Sequence, residues 1–464
     1  MLFAKRVWQV LIVGQMIAKL KHSLSAISSS TSLGGRAMQS GFWITGGFAI
    51  QRALQLGSNL ILTRLLFPEA FGTMALATVF LVGLAMFSDV GLKPAVIRDP
   101  RADDPDFLNT AWTIQAVRGI GLWFAGCVLA YPVSLIYEQP ILFPLLMVLS
   151  ATAAISGFQT IGMATSERRL DFFRPTAAGL AGQIISIAVL VILAYYWRSV
   201  WALAVGNIVG SIATLFAGHL LIREHRHRFR FEREAALSIM NFGKWIFLST
   251  IVTFLGGEGL RAIQAGLITP AEFGVLAIAY TIAAIAVELP LKLTGSIGLP
   301  ALSEAGRANP EQAAFVLYKL RKRVLIVSVG IAAVIALASE PIIQILYDPR
   351  YHAAGSYVAA LTLSNAIALI YSGYLTLLLA QGETRTQLLF NTAASILRIT
   401  GVVAGFSILK IHGMIIGIGA ANLMILFGFW IYLRRLPGPN FKLDGMLLAG
   451  LATCAFFTTK LYGV

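Results

Sequence analysis

The chain is a succession of apolar segments separated by short polar breaks. From residue 41 onward these segments are about 20 residues long, and a helix of that length crosses the roughly 30 Å hydrocarbon core of a bilayer. Small-residue pairs such as Gly413 and Gly417 predict close packing between neighbouring helices. The pattern predicts twelve membrane-spanning helices and a thirteenth candidate at 445–461. The twelve predicted spans are 41–64, 71–92, 107–130, 141–165, 176–197, 200–221, 240–264, 271–293, 324–346, 354–380, 387–409 and 411–433.

An internal repeat divides these spans into two halves. The string PEAFGTMALA begins at Pro68 and PAEFGVLAIA begins at Pro270, and the same offset aligns Trp43 with Trp245. We therefore predict an all-α polytopic membrane protein in which two pseudo-symmetric six-helix bundles enclose a central cavity, with the candidate C-terminal helix appended. Repeated halves of this kind place the substrate at their shared interface near the midplane.

The segments outside the two bundles differ from them in composition. The leader is basic and includes a short apolar run that predicts an interfacial amphipathic helix, followed by a Ser/Gly-rich stretch, 23–40, that predicts a flexible linker. A signal peptide is disfavoured because basic residues follow the apolar run and no small-residue cleavage site adjoins it. The predicted divisions are a leader at 1–40, bundles at 41–233 and 234–436, and a tail at 437–464 with the thirteenth helix.

Composition and charge support a membrane protein. Apolar residues make up 57% of the 464 residues and charged residues only 12%, which excludes an ordinary cytosolic enzyme and a disordered scaffold. Lys and Arg number 36 against 21 Asp and Glu. Most of this basic excess falls on cytoplasmic segments if the amino terminus is cytoplasmic, so the excess predicts orientation in the membrane and no nucleic-acid partner. The two cysteines exclude a disulfide framework and a thiolate metal site.

The motifs of several enzyme classes are missing from the sequence. It contains no phosphate-binding G-x-x-x-x-G-K-[ST] loop, no H-E-x-x-H and no C-x-x-C, so we expect no cofactor and no metal. His225 and His227 are surrounded by arginines that would repel a metal ion. A membrane polymerase or ligase needs a sizeable external loop for its catalytic groups, and the predicted external loops are short. We therefore expect a transporter rather than an enzyme.

Polar side chains at membrane depth are the candidate functional residues. Arg52, Gln55 and Asn59 follow i, i+3, i+7 spacing and form one polar stripe on the first predicted helix. Lipid cannot satisfy such a stripe, so we expect it to face the protein interior. One interpretation is a cavity wall that binds anions and sugar hydroxyls. The other is that Gln and Asn side chains hydrogen-bond neighbouring helices.

The corresponding helix of the second half carries an acid among glycines. Gly256 to Gly259 reads GGEG, and Arg261 follows Glu258 at i+3. An unwound turn there would expose carbonyls beside Glu258 and suit a bound proton or cation. The alternative is that Glu258 and Arg261 neutralise each other. Glu288, on the next helix, is the less favoured candidate for the coupling ion.

Arg118 and Arg398 also lie in the middle of predicted spans. Together with Arg52 and Arg261 they predict a cationic interior that contains few acids. Such an interior is stable only if water or an anionic ligand enters it. Guanidinium groups bind phosphate oxygens bidentately, which suits a diphosphate.

Two sequence elements near the first predicted helices stand out. The first follows an Arg-Leu-Leu-x-Pro-x-x-Phe/Tyr-Gly pattern through Arg64, Leu65, Leu66, Pro68, Phe71 and Gly72. The second follows an Asp-x-Gly-Leu-x-x-Ala-x-Ile pattern through Asp89, Gly91, Leu92, Ala95 and Ile97. Through these elements the chain resembles the polysaccharide transporters of the multidrug/oligosaccharidyl-lipid/polysaccharide exporter superfamily, and the resemblance covers roughly 40–436.

The resemblance implies a flippase that works by alternating access in the inner membrane of a bacterium making exopolysaccharide, capsule or O-antigen. Its cargo would be an undecaprenyl-diphosphate-linked oligosaccharide, moved from the cytoplasmic to the periplasmic leaflet beside membrane lipids. Arg52 and Arg261 would be the main diphosphate ligands and Arg118 and Arg398 secondary ones. Proton or sodium coupling, a polymerase and an export complex are the implied partners.

Three other functions are weighed against this one. A cation-coupled multidrug antiporter of the same superfamily would need an acidic, aromatic cavity, whereas arginine outnumbers acid at depth here. A membrane glycan polymerase or ligase lacks its external loop. A structural scaffold would leave the membrane-depth arginines as an unexplained energetic cost.

Overall fold

The structure is a computed structural model that describes residues 33–88, 91–222, 227–293, 310–380, 383–434 and 441–462. All regular secondary structure in these ranges is helical, which confirms the all-α prediction. The helices are α1 Leu33–Leu65, α2 Pro68–Phe87, α3 Leu92–Arg98, α4 Pro105–Ile136, α5 Leu142–Gly157, α6 Gly162–Arg168, α7 Phe173–Trp197, α8 Val200–Leu221, α9 Arg233–Gly256, α10 Glu258–Leu267, α11 Pro270–Leu293, α12 Pro310–Leu337, α13 Ser339–Leu346, α14 Ala354–Ala380, α15 Thr384–Leu433 and α16 Phe441–Tyr462.

Every predicted span overlaps a helix or a pair of helices. Among the described residues eight helices are long and apolar enough to cross a membrane, and ten if each of two bent pairs counts as one span. The bends are 57° between α5 and α6 and 58° between α12 and α13. Helix α1 is not among the ten, since its polar residues Arg52, Gln55 and Asn59 lower its hydropathy.

The beginning of the chain departs from the sequence-based expectation. The predicted amphipathic helix of the leader lies outside the described residues. The flexible linker predicted for 23–40 is wrong over its last part, because α1 begins at Leu33. Two contacts hold the first part of α1 in place. The hydroxyl of Ser40 donates to the carbonyl of Leu170, just before α7, at 2.6 Å, and the ring of Trp43 lies 4.7 Å from that of Phe173 at the start of α7.

Helix α15 contains the last two predicted spans as a tight hairpin. Its backbone leaves helical geometry at Leu409 and Lys410. The two arms then run so close together that a Cβ atom on Gly405 would lie 2.0 Å from the carbonyl oxygen of Gly413, and one on Gly417 would lie 2.0 Å from that of Gly401. The close packing predicted from the small residues is therefore confirmed, because only glycine fits at these crossings.

The two copies of the sequence repeat touch each other directly. Pro68 and Pro270 begin α2 and α11, where the fixed φ of proline suits a first helical turn. A Cβ atom on Gly72 would lie 1.8 Å from the carbonyl oxygen of Pro270, and one on Gly274 would lie 1.9 Å from that of Pro68. This reciprocal contact joins the halves at the end where α1 passes into α2, which we call the Pro68 end.

The linker between the halves is held against α4. The backbone N–H groups of alternate residues in 228–232 donate to the side-chain oxygens of Asn109, Thr110 and Thr113 at 2.9, 3.0 and 3.1 Å, respectively. Extended backbone presents every second N–H to the same side, so a polar face of one helix satisfies all three. The predicted bundle boundary at residues 233 and 234 stays a prediction.

An ion-pair cluster fastens the end of this linker. The guanidinium of Arg101 contacts carboxylate oxygens of Asp104 at 2.8 Å and Glu232 at 2.7 Å. The hydrogen bond from Arg101 holds the pKa of the Asp104 carboxyl below its ordinary range. A carboxyl with a lowered pKa stabilises the fold above its unfolded-state pKa, and this contribution is lost as the pH falls through the folded-state pKa.

We therefore expect acid to weaken the attachment of the linker. Replacing Asp104 with Asn keeps a residue that caps helix α4 well but removes the charge. The variant should unfold at a lower temperature than the unmodified protein at pH 7, and this difference should shrink as the pH falls below about 4. Thermal unfolding in detergent at several pH values from 7 to below about 4 measures the difference in unfolding temperature and its change with pH. A difference that is constant with pH would contradict an ionic contribution.

The thirteenth candidate helix is present as α16 and is long and apolar enough to span a membrane. Asp444 in its first turn is fully buried. Its carboxylate pairs with Arg321 of α12 at 3.0 Å, accepts from the indole N–H of Trp430 at 3.3 Å and contacts the hydroxyl of Tyr374. A buried carboxylate that has all these partners ties α16 to three other helices of the second half.

Removing this carboxylate should be strongly destabilising. Asp444→Leu leaves the charge of Arg321 buried without its counter-ion, which costs on the order of 3–5 kcal/mol. We expect a clear fall in the thermal unfolding temperature in detergent. The matched control is Asp103→Asn, because the Asp103 side chain is 64% exposed and its surface pair with Arg169 contributes less than about 1 kcal/mol. Equal effects of the two substitutions would refute the anchoring role.

Candidate binding cavity

A cavity of about 840 Å³ lies between the two halves. Its volume falls within the range of ligand-binding sites in proteins. The first half contributes residues of α1, α2, α7 and α8, and the second half contributes residues of α10 and α11. The polar and aromatic side chains that line it are Phe48, Gln51, Arg52, Gln55, Ser58, Asn59, Phe71, Thr78, Gln183, Ser186, Asn207, Glu258, Arg261, Phe273, Tyr280, Thr281 and Glu288.

The polar stripe of α1 forms one wall of this cavity. Arg52, Gln55 and Asn59 all line it, so the stripe faces the interior as its spacing predicted. The guanidinium of Arg52 donates to the amide oxygen of Gln55 at 2.6 Å. The same guanidinium forms an ion pair with Glu288 of α11, across the interface between the halves. Arg52 is therefore oriented by one neutral partner on its own helix and one acid from the opposite half.

The facing wall contains the second arginine. The helix breaks at Gly257, whose φ and ψ of −117° and −93° are not helical, and α10 begins at Glu258. This break confirms the predicted interruption at GGEG. Arg261 pairs with Glu258 at 3.1 Å, one turn away, and its guanidinium lies 4.7 Å from the ring centroid of Tyr280. The neutralising i, i+3 pair, which the sequence offered as the alternative, is present.

The expectation of a cationic interior with few acids is therefore wrong for this cavity. Two arginines and two glutamates line it, and each arginine has its own carboxylate partner. The reason is that Glu288 lies 236 positions from Arg52 in the chain and meets it only because α1 and α11 face each other. The ion pairs are still accessible, since the Arg52 and Arg261 side chains are 25% and 38% exposed.

Arg398 lies in an adjoining pocket of the second half. This pocket has a volume of about 350 Å³ and shares Glu258, Arg261, Tyr280 and Glu288 with the main cavity. The Nε of Arg398 donates to the amide oxygen of Asn422 at 2.9 Å, and its Nη2 contacts the hydroxyl of Tyr371. The structure thus brings Arg398 close to the central cavity but outside it.

Arg118 is separated from the other three arginines. It lines a different pocket, of about 560 Å³, in the first half. Its guanidinium donates to the carbonyl of Ala85 at 2.8 Å and the hydroxyl of Ser88 at 3.0 Å, at the end of α2. In this conformation Arg118 secures the end of a helix and does not reach the cavity that Arg52 and Arg261 share.

Two tyrosines that the sequence analysis did not single out join the halves on the side of the Pro68 end. The hydroxyl of Tyr351 donates to the carbonyl of Leu66 at 3.1 Å, and that of Tyr137 donates to the carbonyl of Ala262 at 3.0 Å. Each ring also packs edge-to-face against a phenylalanine of α2. Each half therefore donates one tyrosine hydroxyl to the other. No sequence pattern marks these positions, because both lie in short connections.

No group of three or more His, Cys, Asp or Glu side chains that suits a metal ion occurs in the part of the chain that the structure describes. His227, one of the two histidines noted in the sequence, instead stacks on Trp112 with ring centroids 5.2 Å apart and contacts the hydroxyl of Thr160 at 2.9 Å. His225 lies outside the described residues.

Known proteins resemble this chain in sequence and in fold. A family described as polysaccharide biosynthesis protein matches residues 61–356. The succinoglycan biosynthesis transport protein ExoT of Rhizobium meliloti (strain 1021) is 20% identical over 326 residues, which are 70% of this chain. The match spans 65% of that relative, slightly less than two thirds of its length.

Two solved structures share the arrangement of helices. The lipid II flippase MurJ in an inward closed conformation has a TM-score of 0.67 at 16% identity, covering 90% of this chain and 98% of that one. A multidrug resistance MATE family transporter of the MOP superfamily in an inward-facing conformation has a TM-score of 0.66 at 14% identity, covering 87% and 96%. The chain is a multi-pass membrane protein with the fold of the MOP superfamily, and it belongs to the polysaccharide biosynthesis protein family.

Proposed function

We propose that this protein is a flippase for an undecaprenyl-diphosphate-linked oligosaccharide in the bacterial inner membrane, serving exopolysaccharide, capsule or O-antigen synthesis. The observation that carries the proposal is that each half contributes one guanidinium to a single cavity, Arg52 from α1 and Arg261 from α10. Guanidinium groups suit phosphate oxygens, and the amides of Gln55 and Asn59 suit sugar hydroxyls. Family membership supports a glycan cargo.

The contacts at the Pro68 end support a direction of transport. The halves touch there through Gly72 and Gly274 and through the hydroxyls of Tyr137 and Tyr351. With the amino terminus in the cytoplasm, the Pro68 end is periplasmic. This conformation is then the one that takes cargo from the cytoplasmic leaflet, and the contacts at the Pro68 end must separate before cargo leaves.

Cargo binding proceeds as an exchange of anions. The diphosphate replaces Glu288 on Arg52 and Glu258 on Arg261, since phosphate oxygens compete for the same N–H donors. The two displaced carboxylates then face a partly dehydrated cavity, where uptake of a proton or a sodium ion compensates their charge. Glu258 is the first candidate for this coupling and Glu288 the second. A polymerase and an export complex would act on the delivered repeat units.

The acids in the cavity also favour a second candidate function. Glu258 and Glu288 would suit a cationic cargo, as in a cation-coupled multidrug antiporter, if Arg52 and Arg261 moved away from them. The structural relatives include both a flippase and a multidrug transporter, so this fold is found with either kind of cargo.

The test is reconstitution of the purified full chain into liposomes. A fluorescent prenyl-diphosphate-linked disaccharide is supplied, and its exposure to an impermeant quencher reports movement between leaflets. We expect faster equilibration of the probe across the bilayer than in empty liposomes. Gradient-driven transport of a cationic dye without movement of the prenyl diphosphate would instead support the antiporter.

A further inference from the structure

We infer that Arg398 forms a second anion subsite, for a carboxylate on the sugar portion of the cargo. This inference rests on the proposed function and adds to it a substrate class, an acidic glycan. It assigns Arg398 a role in selecting the cargo that is distinct from diphosphate binding by Arg52 and Arg261.

The guanidinium of Arg398 is held in place by neutral groups. Asn422 accepts from its Nε at 2.9 Å, and Asn422 in turn donates to the carbonyl of Ser364 at 2.9 Å. The hydroxyl of Tyr371 contacts Nη2. Asn422 and Tyr371 are 1% and 4% exposed, so they are fixed by packing. The orientation of Arg398 is therefore set before any ligand arrives.

These partners are neutral, and the two described acids that line the same pocket, Glu258 and Glu288, are paired with Arg261 and Arg52. Among the described residues no carboxylate lies within 4.0 Å of the guanidinium of Arg398. The two arginines of the main cavity differ from it, since Arg52 and Arg261 each pair with an acid. An arginine at membrane depth usually faces a cavity or a partner, and an anionic ligand in the pocket would pair with Arg398 directly.

The hydrogen bonds of Arg398 leave one edge of the guanidinium for a ligand. Arginine has five N–H donors, and here Nε and one N–H of Nη2 are used. The pair of N–H groups on the Nη1–Nη2 edge matches the two oxygens of a carboxylate. A single carboxylate would thus complete the site without displacing Asn422 or Tyr371.

The break between α9 and α10 provides space beside this edge. A Cβ atom on Gly256 would lie 2.7 Å from the hydroxyl oxygen of Ser395 and 3.9 Å from Nη1 of Arg398. Glycine therefore lets the end of α9 approach α15 without a side chain entering the space at Nη1. The hydroxyl of Ser372 and the amide of Asn365 also line the pocket and suit sugar hydroxyls.

The position of the pocket matches the position of the sugars in the cargo. It shares Glu258, Arg261, Tyr280 and Glu288 with the main cavity, so it begins where Arg261 would hold the diphosphate. The pocket volume of about 350 Å³ accommodates a sugar residue close to the diphosphate. The carboxylate selected by Arg398 is therefore expected on one of the first sugars of the repeat unit.

Binding of two matched probes to the purified full chain in detergent tests the inference. Both probes are short-chain prenyl diphosphates linked to a disaccharide, which ends in glucuronate in one and in glucose in the other. Calorimetric titration should show that the unmodified protein binds the acidic probe on the order of 10-fold more tightly. Arg398→Gln should abolish this preference while binding the neutral probe normally. Arg398→Lys, which keeps the charge but loses the planar fork, should retain part of it.

Three results would overturn the inference. Equal binding of both probes by the unmodified protein would show that no carboxylate subsite exists. If Arg398→Gln lost affinity for both probes equally while its thermal stability stayed unchanged, Arg398 would belong to the diphosphate site. Persistence of the full preference in Arg398→Gln would place the carboxylate elsewhere. If the unmodified protein binds neither probe, the proposed function itself fails. Arg118→Gln, which removes an arginine outside the cavity, is the control and should keep the preference.

Discussion

Replacing Arg52 with glutamine is expected to lower the rate of prenyl-diphosphate flipping by about 100-fold. The substitution keeps most of the side-chain length but removes a charge-assisted contact to phosphate, which is worth roughly 1.5–3 kcal/mol and thus up to about two orders of magnitude in affinity. The liposome assay measures the rate, and titration with a prenyl diphosphate measures the affinity. Arg261→Gln should have an effect of similar size, because the second half supplies the other guanidinium to the same cavity.

A matched variant separates ligand binding from structural pairing. Glu288→Gln breaks the same ion pair as Arg52→Gln but leaves the guanidinium in place. We expect it to bind the prenyl diphosphate more tightly than the unmodified protein, because the carboxylate no longer competes for Arg52. Equal losses of binding in Arg52→Gln and Glu288→Gln would mean that the pair only holds α1 and α11 together. Normal flipping by Arg52→Gln would exclude Arg52 as a ligand.

Substituting leucine for Gly72 is expected to prevent the Pro68 end from closing. A Cβ atom at this position would lie 1.8 Å from a backbone oxygen of the opposite half, a distance that neither helix can relieve by moving a side chain. The variant should therefore lose the contact between α2 and α11 that the structure shows. Flipping should fall by more than about 10-fold, since a bias of 1.4 kcal/mol between two conformations already changes their populations tenfold. Spin-label distances between the starts of α2 and α11 measure the separation.

The contact is reciprocal, so a matching substitution on the opposite helix provides a second test. Gly274→Leu should have the same effect, because its Cβ would lie 1.9 Å from the carbonyl oxygen of Pro68. Gly330→Leu is the control, since nothing lies within 4 Å of the Cβ position there. If Gly72→Leu flips cargo normally and keeps the same distance between the starts of α2 and α11 as the unmodified protein, the contact at the Pro68 end does not control access to the cavity.

Much of the cavity wall could be predicted from residue spacing. Arg52, Gln55 and Asn59 recur on one side of a helix, and a polar stripe in lipid has to face protein or water, so its inward orientation followed from hydropathy alone. The interruption at Gly257 followed from a cluster of glycines in a helix. Arg118 shows the limit of such reasoning. It lies in the middle of a predicted span, as the other arginines do, but its side chain points to the end of α2.

The amino-acid sequence by itself determined which segments are helices, that the protein spans a membrane, and that its two halves repeat. These properties depend on local apolar content and on a helical period of 3.6 residues, and both can be read from neighbouring residues in the sequence. Only the tertiary structure decided which charges meet. The pairing of Arg52 with Glu288, the burial of Asp444 beside Arg321 and the neutral hydrogen-bond partners of Arg398 depend on which helix faces pack together. Electrostatic energy depends on distance and surroundings rather than on sequence separation, so a charge count could not reveal that the cavity is balanced.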